Sequence, residues 1–156
     1  MTRIYIFDLD GTVIDSAHRT PYFPNGDLNL EAYKRLATKE NIRLDRLFPL
    51  AGFMRRKIAA KRDLVVICTA REMRLGDWEF LTTHRLRPHM CLSRNHIDRT
   101  HFYMSDAPYK VKHLSRFLDG EFKNMPKIMF EDNSAVIRAV SQMPGFTLVR
   151  VPWAAH

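Results

Sequence analysis

Apolar and polar positions along the chain alternate between two regimes. Ile4-Tyr5-Ile6-Phe7 is an unbroken apolar run that ends abruptly in Asp8, Asp10 and the chain breaker Gly11. A short apolar run closed by a glycine turn reads as a strand buried on both faces. Leu64-Val65-Val66-Ile67-Cys68 repeats the pattern and ends in Thr69-Ala70-Arg71, and Met90-Cys91-Leu92 is a shorter run entered from Pro88. Lys127 to Phe130 leads into Glu131-Asp132-Asn133, and Phe146 to Val151 supplies a fifth strand.

Between these runs the apolar spacing is helical. Leu28 to Lys39 places Leu30, Tyr33, Leu36 and Ala37 on one face behind Asn29, a good cap. Phe48 to Lys61 carries the stripe Leu50, Phe53, Met54 and Ile58, opposed by Arg55, Arg56, Lys57, Lys61 and Arg62, a cluster that reads as a solvated helix face. Gly76 to Leu86 turns Trp78, Leu81 and Leu86 inward. Pro108 opens a helix with Val111, Leu114, Phe117 and Leu118 at helical spacing. Ser134 to Met143 buries Val136, Ile137, Val140 and Met143, and Pro144-Gly145 stops it. Residues 11–27 have loop composition, and residues 93–107 are polar and irregular.

Strand–helix alternation predicts an α/β fold: a Rossmann-like three-layer sandwich with a mostly parallel five-stranded sheet covered on both faces. At 156 residues it is expected to be one domain spanning 1–156. If the opening strand, the 64–68 strand and the 127–130 strand are neighbours, Asp8, Asp10, Thr69, Glu131 and Asp132 meet at one sheet edge. Lys110, at the start of a helix, reaches the same edge. Open parallel sheets place their ligands there.

Charge changes the picture of the partner. The formal net charge of +8 favours an anionic substrate or a polyanion. No apolar run approaches a membrane span. The first strand begins by Arg3 or Ile4, so no secretory signal is expected and a cytosolic location is the expectation. Cys68 and Cys91 lie inside strand-like segments and read as buried thiols in a reducing compartment.

The chemistry concentrates at Asp8 and Asp10. Two carboxylates this close need a cation or a shared proton. A calcium loop would continue with more oxygen ligands and end in a glutamate at the twelfth position, whereas this loop continues into Thr12-Val13-Ile14. Thr69 read alone ends a strand, Lys110 alone is a solvated helix residue, and Asp132-Asn133 alone is a helix cap.

Taken together, Asp8-x-Asp10-Gly11-Thr12, the strand ending in Thr69, Lys110 with Leu114 after it, and the pair Glu131-Asp132 resemble the four motifs of the haloacid dehalogenase (HAD) superfamily, in order. Within it, Ile67-Cys68-Thr69-Ala70-Arg71-Glu72 and Arg94-x-x-x-Asp98-Arg99 resemble the 3′-phosphatase domains of polynucleotide kinase-phosphatases and small phage-type phosphatases. The resemblance implies phosphate-ester hydrolysis. Asp8 is the expected nucleophile, forming an aspartyl-phosphate, and Asp10 the acid that later becomes a base. Gly11 admits the backbone and Thr12 braces the loop. Thr69 and the N–H of Ala70 hold the phosphoryl group, and Lys110 screens the nucleophile from it. Mg2+ is expected on Asp8, the Asp10 carbonyl, and Asp132 with or without Glu131. Arg71, Arg94 and Asp98 are expected to meet the substrate, with Phe102 and Tyr103 as candidate base-stacking rings.

Neither inter-motif span has room for a large cap domain, so an open site is expected. Such a site suits polynucleotide 3′-phosphate ends or nucleotides. A small phosphometabolite or a phosphoprotein is the alternative substrate. A non-catalytic module is the alternative class, although such a relative is expected to have lost Asp8 or Asp10, and a receiver domain would place an aspartate where Ser93-Arg94 stand.

Overall fold

The computed structural model of the protein describes residues 2–94 and 104–153. Strands β1 (Ile4–Phe7), β4 (Leu64–Cys68), β5 (Met90–Leu92), β6 (Lys127–Glu131) and β7 (Phe146–Arg150) form a five-stranded sheet in the order β5-β4-β1-β6-β7. Every pairing in it is parallel. β1 lies between β4 and β6, the neighbour relation expected from the sequence, with Phe7 opposite Ile67 on one side and Phe130 on the other.

Side-chain alternation along the strands divides the core into two layers. Tyr5, Phe7, Val65 and Ile67 pack with Met54 of α3 (Leu50–Ala60) and with Phe80 and Leu81 of α4 (Leu75–Thr83). Ile4, Ile6, Val66, Cys68 and Met129 pack on the other face with Leu114 of α5 (Asp106–Leu114) and with Val136 and Val140 of α6 (Ser134–Ser141). Phe7 and Phe130 stack across neighbouring strands at 5.0 Å.

Element boundaries shift from the sequence expectation in places. The helix expected over 28–39 is the shorter α1 (Leu30–Leu36), capped by Asn29 accepting from the Ala32 N–H, and a separate α2 (Lys39–Arg43), capped by Thr38 accepting from the Asn41 N–H, follows where the sequence pattern predicts no element. Ser105, not the residue before Pro108, caps α5, so Pro108 sits inside the first turn, where a missing N–H costs nothing. Two-residue strands β2 (Ile14–Asp15) and β3 (Arg46–Leu47) pair antiparallel and have no counterpart in the sequence reading.

The segment between β1 and β4 thus holds a strand pair and three helices but no large cap. The open site expected from that is not found. The turn at residues 21–28 folds over the sheet edge. Phe23 N–H donates to the Asp27 carbonyl, and Gly26 N–H donates to that of Phe23. Gly26 adopts φ +89, which strains any residue with a Cβ. Its carbonyl accepts Asn133 Nδ2 at 3.2 Å, pinning the turn to the start of α6.

Candidate active site

The carboxyl ends of β1 and β6 deliver the acidic groups to one point, and Thr69 follows the neighbouring β4. Asp8 leaves β1 directly, and Gly11, at φ +80, reverses the chain. Thr12 Oγ1 then donates to Asp8 Oδ2 at 3.0 Å and lies 3.3 Å from Asp132 Oδ1. The loop is held from behind by Trp153, whose Nε1 donates to the Thr12 carbonyl at 3.0 Å while its ring stacks on Phe48.

Lys110, on α5, is buried with its ammonium between two carboxylates, 2.9 Å from Asp8 Oδ1 and 2.8 Å from Glu131 Oε2. The other Glu131 oxygen accepts the N–H groups of Asp132 and Asn133. Asp8, Glu131 and Asp132 bring carboxylate oxygens within 4.8 Å of one another, all buried. Burial, reinforced by the Glu131 charge and opposed by Lys110, pushes the Asp8 carboxyl up to about 7. Burial also raises Glu131. Lys110 behaves oppositely: burial alone would lower its pKa, but Asp8 and Glu131 carry it well above the lysine range.

Asp10 occupies a different environment. Burial alone would raise its carboxyl, but the Arg71 guanidinium outweighs that and holds it below the usual range. Ser16 Oγ also donates to Asp10 Oδ1, and Thr20 Oγ1 donates to Ser16. Thr69 is fully buried just past β4, its Oγ1 accepting the Arg71 N–H at 3.1 Å and its carbonyl accepting the Tyr109 hydroxyl at 2.9 Å. The Thr69 hydroxyl proton is therefore still available to donate.

The two arginines expected on substrate are both engaged by groups of the protein itself. Arg71 is buried, with Nε and Nη2 on Asp10 and Nη1 on Asp77 at 2.7 Å. Arg94 is buried too, with Nε on the Ala70 carbonyl at 2.8 Å, Nη2 on Asp106 at 3.2 Å, and its guanidinium over the Tyr109 ring. Five donors on a planar fork suit such bracing. Both side chains hold other parts of the site in place. Asp98, Arg99, Phe102 and Tyr103 lie outside the described residues.

The sequence reading passed over several residues of this region. Arg19 and Asp45 form a buried two-point pair, with Arg19 Nη2 on Asp45 Oδ2 at 2.7 Å, beside Arg71. Asp77 caps the start of α4 and holds Arg71. Tyr22, on the overlying turn, lines the acidic cavity; burial and then the charges of Asp10, Asp8 and Asp132 push its phenol upward. The Arg19–Asp45 pair and the approach of Tyr22 join loops far apart in the chain, which no spacing rule reveals, whereas Asp77, three residues after Arg74, has the spacing of a helix-start cap.

The cavity left among Asp8, Asp10, Lys110, Asp132 and Tyr22 measures about 20 Å3, room for roughly one water-sized group.

The sequence model of the bacteriophage T5 5′-deoxynucleotidase family matches residues 1–151. The chain belongs to that family. The 5′-deoxynucleotidase of Escherichia phage T5 is 31% identical over 157 residues, an alignment taking in 90% of this chain and 64% of the phage protein. The chain thus spans a little under two thirds of that relative's length. Among solved structures, a chain of the Pnkp1/Rnl/Hen1 RNA repair complex superposes with a TM-score of 0.70 at 19% identity, covering 97% of this chain and 42% of that one. A HAD-superfamily hydrolase from Geobacter sulfurreducens gives 0.61 at 13% identity, over 96% of this chain and 89% of its own. At these identities the likeness is one of fold, and the fold of this family member is that of HAD-superfamily hydrolases, as its motifs imply.

Proposed function

We propose that the chain is a magnesium-dependent phosphomonoesterase that removes phosphate from nucleotides through an aspartyl-phosphate on Asp8. The observation that carries this reading is the position of Asp8: buried at the carboxyl end of the central strand, its oxygens on Lys110 and Thr12, with a second carboxylate of opposite electrostatic character two residues on. Membership of a family described by a 5′-deoxynucleotidase supports nucleotides as the substrate class.

An Asp8 oxygen attacks phosphorus as the ester P–O bond breaks, and the departing oxygen takes a proton from Asp10. Water then attacks the phosphorus of the acyl phosphate, giving its proton to Asp10 and releasing inorganic phosphate and the free Asp8 carboxylate. In the resting geometry Asp10 is ionised on Arg71, the state suited to the second step. Donating in the first requires a proton that Arg71 disfavours, so the Arg71 contact sets the balance between the two half-reactions. Lys110 holds Asp8 against the repulsion of Glu131 and faces the phosphoryl oxygens.

The donor set fits a hard divalent cation, since buried oxygen ligands carrying excess negative charge suit Mg2+. Asp8, the Asp10 carbonyl and Asp132 would hold it, with Glu131 behind them because both Glu131 oxygens are already engaged by Lys110 and backbone N–H groups. The bound ion would neutralise charge on the phosphoryl oxygens. We place the enzyme in the cytosol, consistent with its two free cysteines.

Turnover of deoxynucleoside 5′-monophosphates with Mg2+ by the wild type and by Asp8→Asn tests the reading. Loss of turnover in the variant is expected, and equal rates would sink the mechanism. The net charge of +8 keeps polynucleotide 3′-phosphate ends as a second reading. It predicts activity on an oligonucleotide end that falls steeply with salt, while mononucleotide turnover changes little.

A further inference from the structure

A larger hollow adjoins the acidic cavity. It measures about 400 Å3, within the roughly 300–1,000 Å3 typical of small-molecule sites. Phe23, Leu28, Leu30 and Met104 give it apolar walls, Arg94 closes one side, and Glu31 lies at its rim. Leu28 lines both hollows. Asp106, which lines the acidic cavity, accepts the Leu28 N–H and Arg94 Nη2, each at 3.2 Å. The two spaces therefore meet at Leu28.

The turn over the site serves both sides. Tyr22 lines the acidic cavity, while Phe23, the next residue, lines the larger hollow and is 49% exposed. Successive residues of an extended segment face opposite ways. The Phe23 backbone is fixed by its bonds within the turn, so the ring is presented from a stable base.

We propose that this hollow receives the nucleoside part of a mononucleotide whose phosphate lies at Asp8, with the base against Phe23 and Leu28. A nucleobase has two apolar faces and a polar edge. An aromatic ring and aliphatic side chains fit the faces, and a polar rim carrying Glu31 fits the edge. A bare sugar phosphate gains little from such walls. This inference rests on the nucleotide reading above and adds to it the residues that recognise the base.

The test is steady-state kinetics of the wild type, Phe23→Ala and Phe23→Tyr on a deoxynucleoside 5′-monophosphate and on deoxyribose 5-phosphate, which lacks the base. One stacking contact corresponds to roughly fivefold to a hundredfold in affinity. Phe23→Ala should raise KM for the nucleotide at least about fivefold more than KM for deoxyribose 5-phosphate, and should weaken inhibition of deoxyribose 5-phosphate turnover by the free deoxynucleoside to the same extent. Phe23→Tyr should restore wild-type behaviour. If Phe23→Ala affects both substrates equally or neither, while nucleotides are still hydrolysed, the base site is overturned and the nucleotide reading stands. If the wild type hydrolyses deoxyribose 5-phosphate but not nucleotides, both fall together.

Discussion

The guanidinium of Arg71 grips both carboxylate oxygens of Asp10, Nε on Oδ2 at 2.9 Å and Nη2 on Oδ1 at 2.5 Å. The pair is almost fully removed from water and anchored further by Asp77. A two-point contact of this kind fixes both the charge and the orientation of the group expected to move the proton. Lysine keeps the charge but not the fork. Arg71→Lys should therefore lower kcat by about tenfold or more. Arg71→Met, which leaves Asp10 and Asp77 buried without their partner, should cost on the order of 3–5 kcal/mol of stability. Steady-state rates and urea unfolding check the two, and an unchanged kcat in Arg71→Lys would remove Asp10 orientation from the mechanism.

Asp8 and Asp10 respond to pH in opposite directions. Arg71 depresses Asp10, so the stability it contributes is present at neutral pH and is lost as pH falls below the ordinary carboxylate range. The Asp8 pKa is raised from 3.8 to about 7. Between those values the folded state binds a proton that the unfolded state has released, so stability falls as pH rises through that window. The raised Glu131 adds to the same trend. Metal-free protein should thus be less stable at pH 8 than at pH 5 from these groups, by on the order of a few kcal/mol. Saturating Mg2+ should reverse the loss, and Asp8→Asn should weaken the dependence. Denaturant midpoints across pH that are identical in wild type and Asp8→Asn would refute the assignment.

Much of this could be read from the chain before any coordinates. Strands β1 and β4 announce themselves because they are buried on both faces and therefore continuously apolar, and β6 carries the apolar run Ile128 to Phe130 between Lys127 and Glu131. Asp8, Glu131 and Asp132 stand at the exits of β1 and β6, so their convergence follows from the pairing of these two strands, and Lys110 reaches them from α5. The short β2–β3 pair was not legible, since two-residue strands have no period to detect. Nor was the turn at 21–28, which is tied over the site by bonds from Asn133 to Gly26 and from Leu28 to Asp106. Arg71 and Arg94 were visible as cations in the right places, but sequence gives charge and not direction. Their partners, Asp77 on α4 and Asp106 on α5, stand in the first turn of their helices, where an acidic residue is ordinary.

The turn over the site should loosen when its pin is removed without harming the helix that carries it. Asn133 both caps α6, with Oδ1 accepting from Ala135 and Val136, and donates to Gly26 through Nδ2. Asn133→Ser keeps a good cap but loses the reach to Gly26. The expected outcome is a stability change within about 1 kcal/mol together with faster amide hydrogen exchange at Gly26 to Leu28. Unchanged exchange there would show that other contacts hold the turn.

Glu131 and Asp132 are adjacent carboxylates with different duties. Lys110 takes one Glu131 oxygen, and the N–H groups of Asp132 and Asn133 take the other, so Glu131 positions the ammonium and the loop. Asp132 follows it at the cavity wall, with Oδ1 near the Thr12 hydroxyl that also serves Asp8. Asp132→Asn should therefore weaken Mg2+ binding by about tenfold or more, because it removes a charged ligand. Glu131→Gln should retain Mg2+ affinity within about threefold yet lose turnover, since Lys110 is then held to Asp8 alone. Calorimetric titration with Mg2+ separates binding from rate. Equal loss of affinity in both variants would make Glu131 a ligand in its own right and leave Lys110 without a dedicated anchor, whereas the split result assigns one carboxylate to the ion and the other to the lysine.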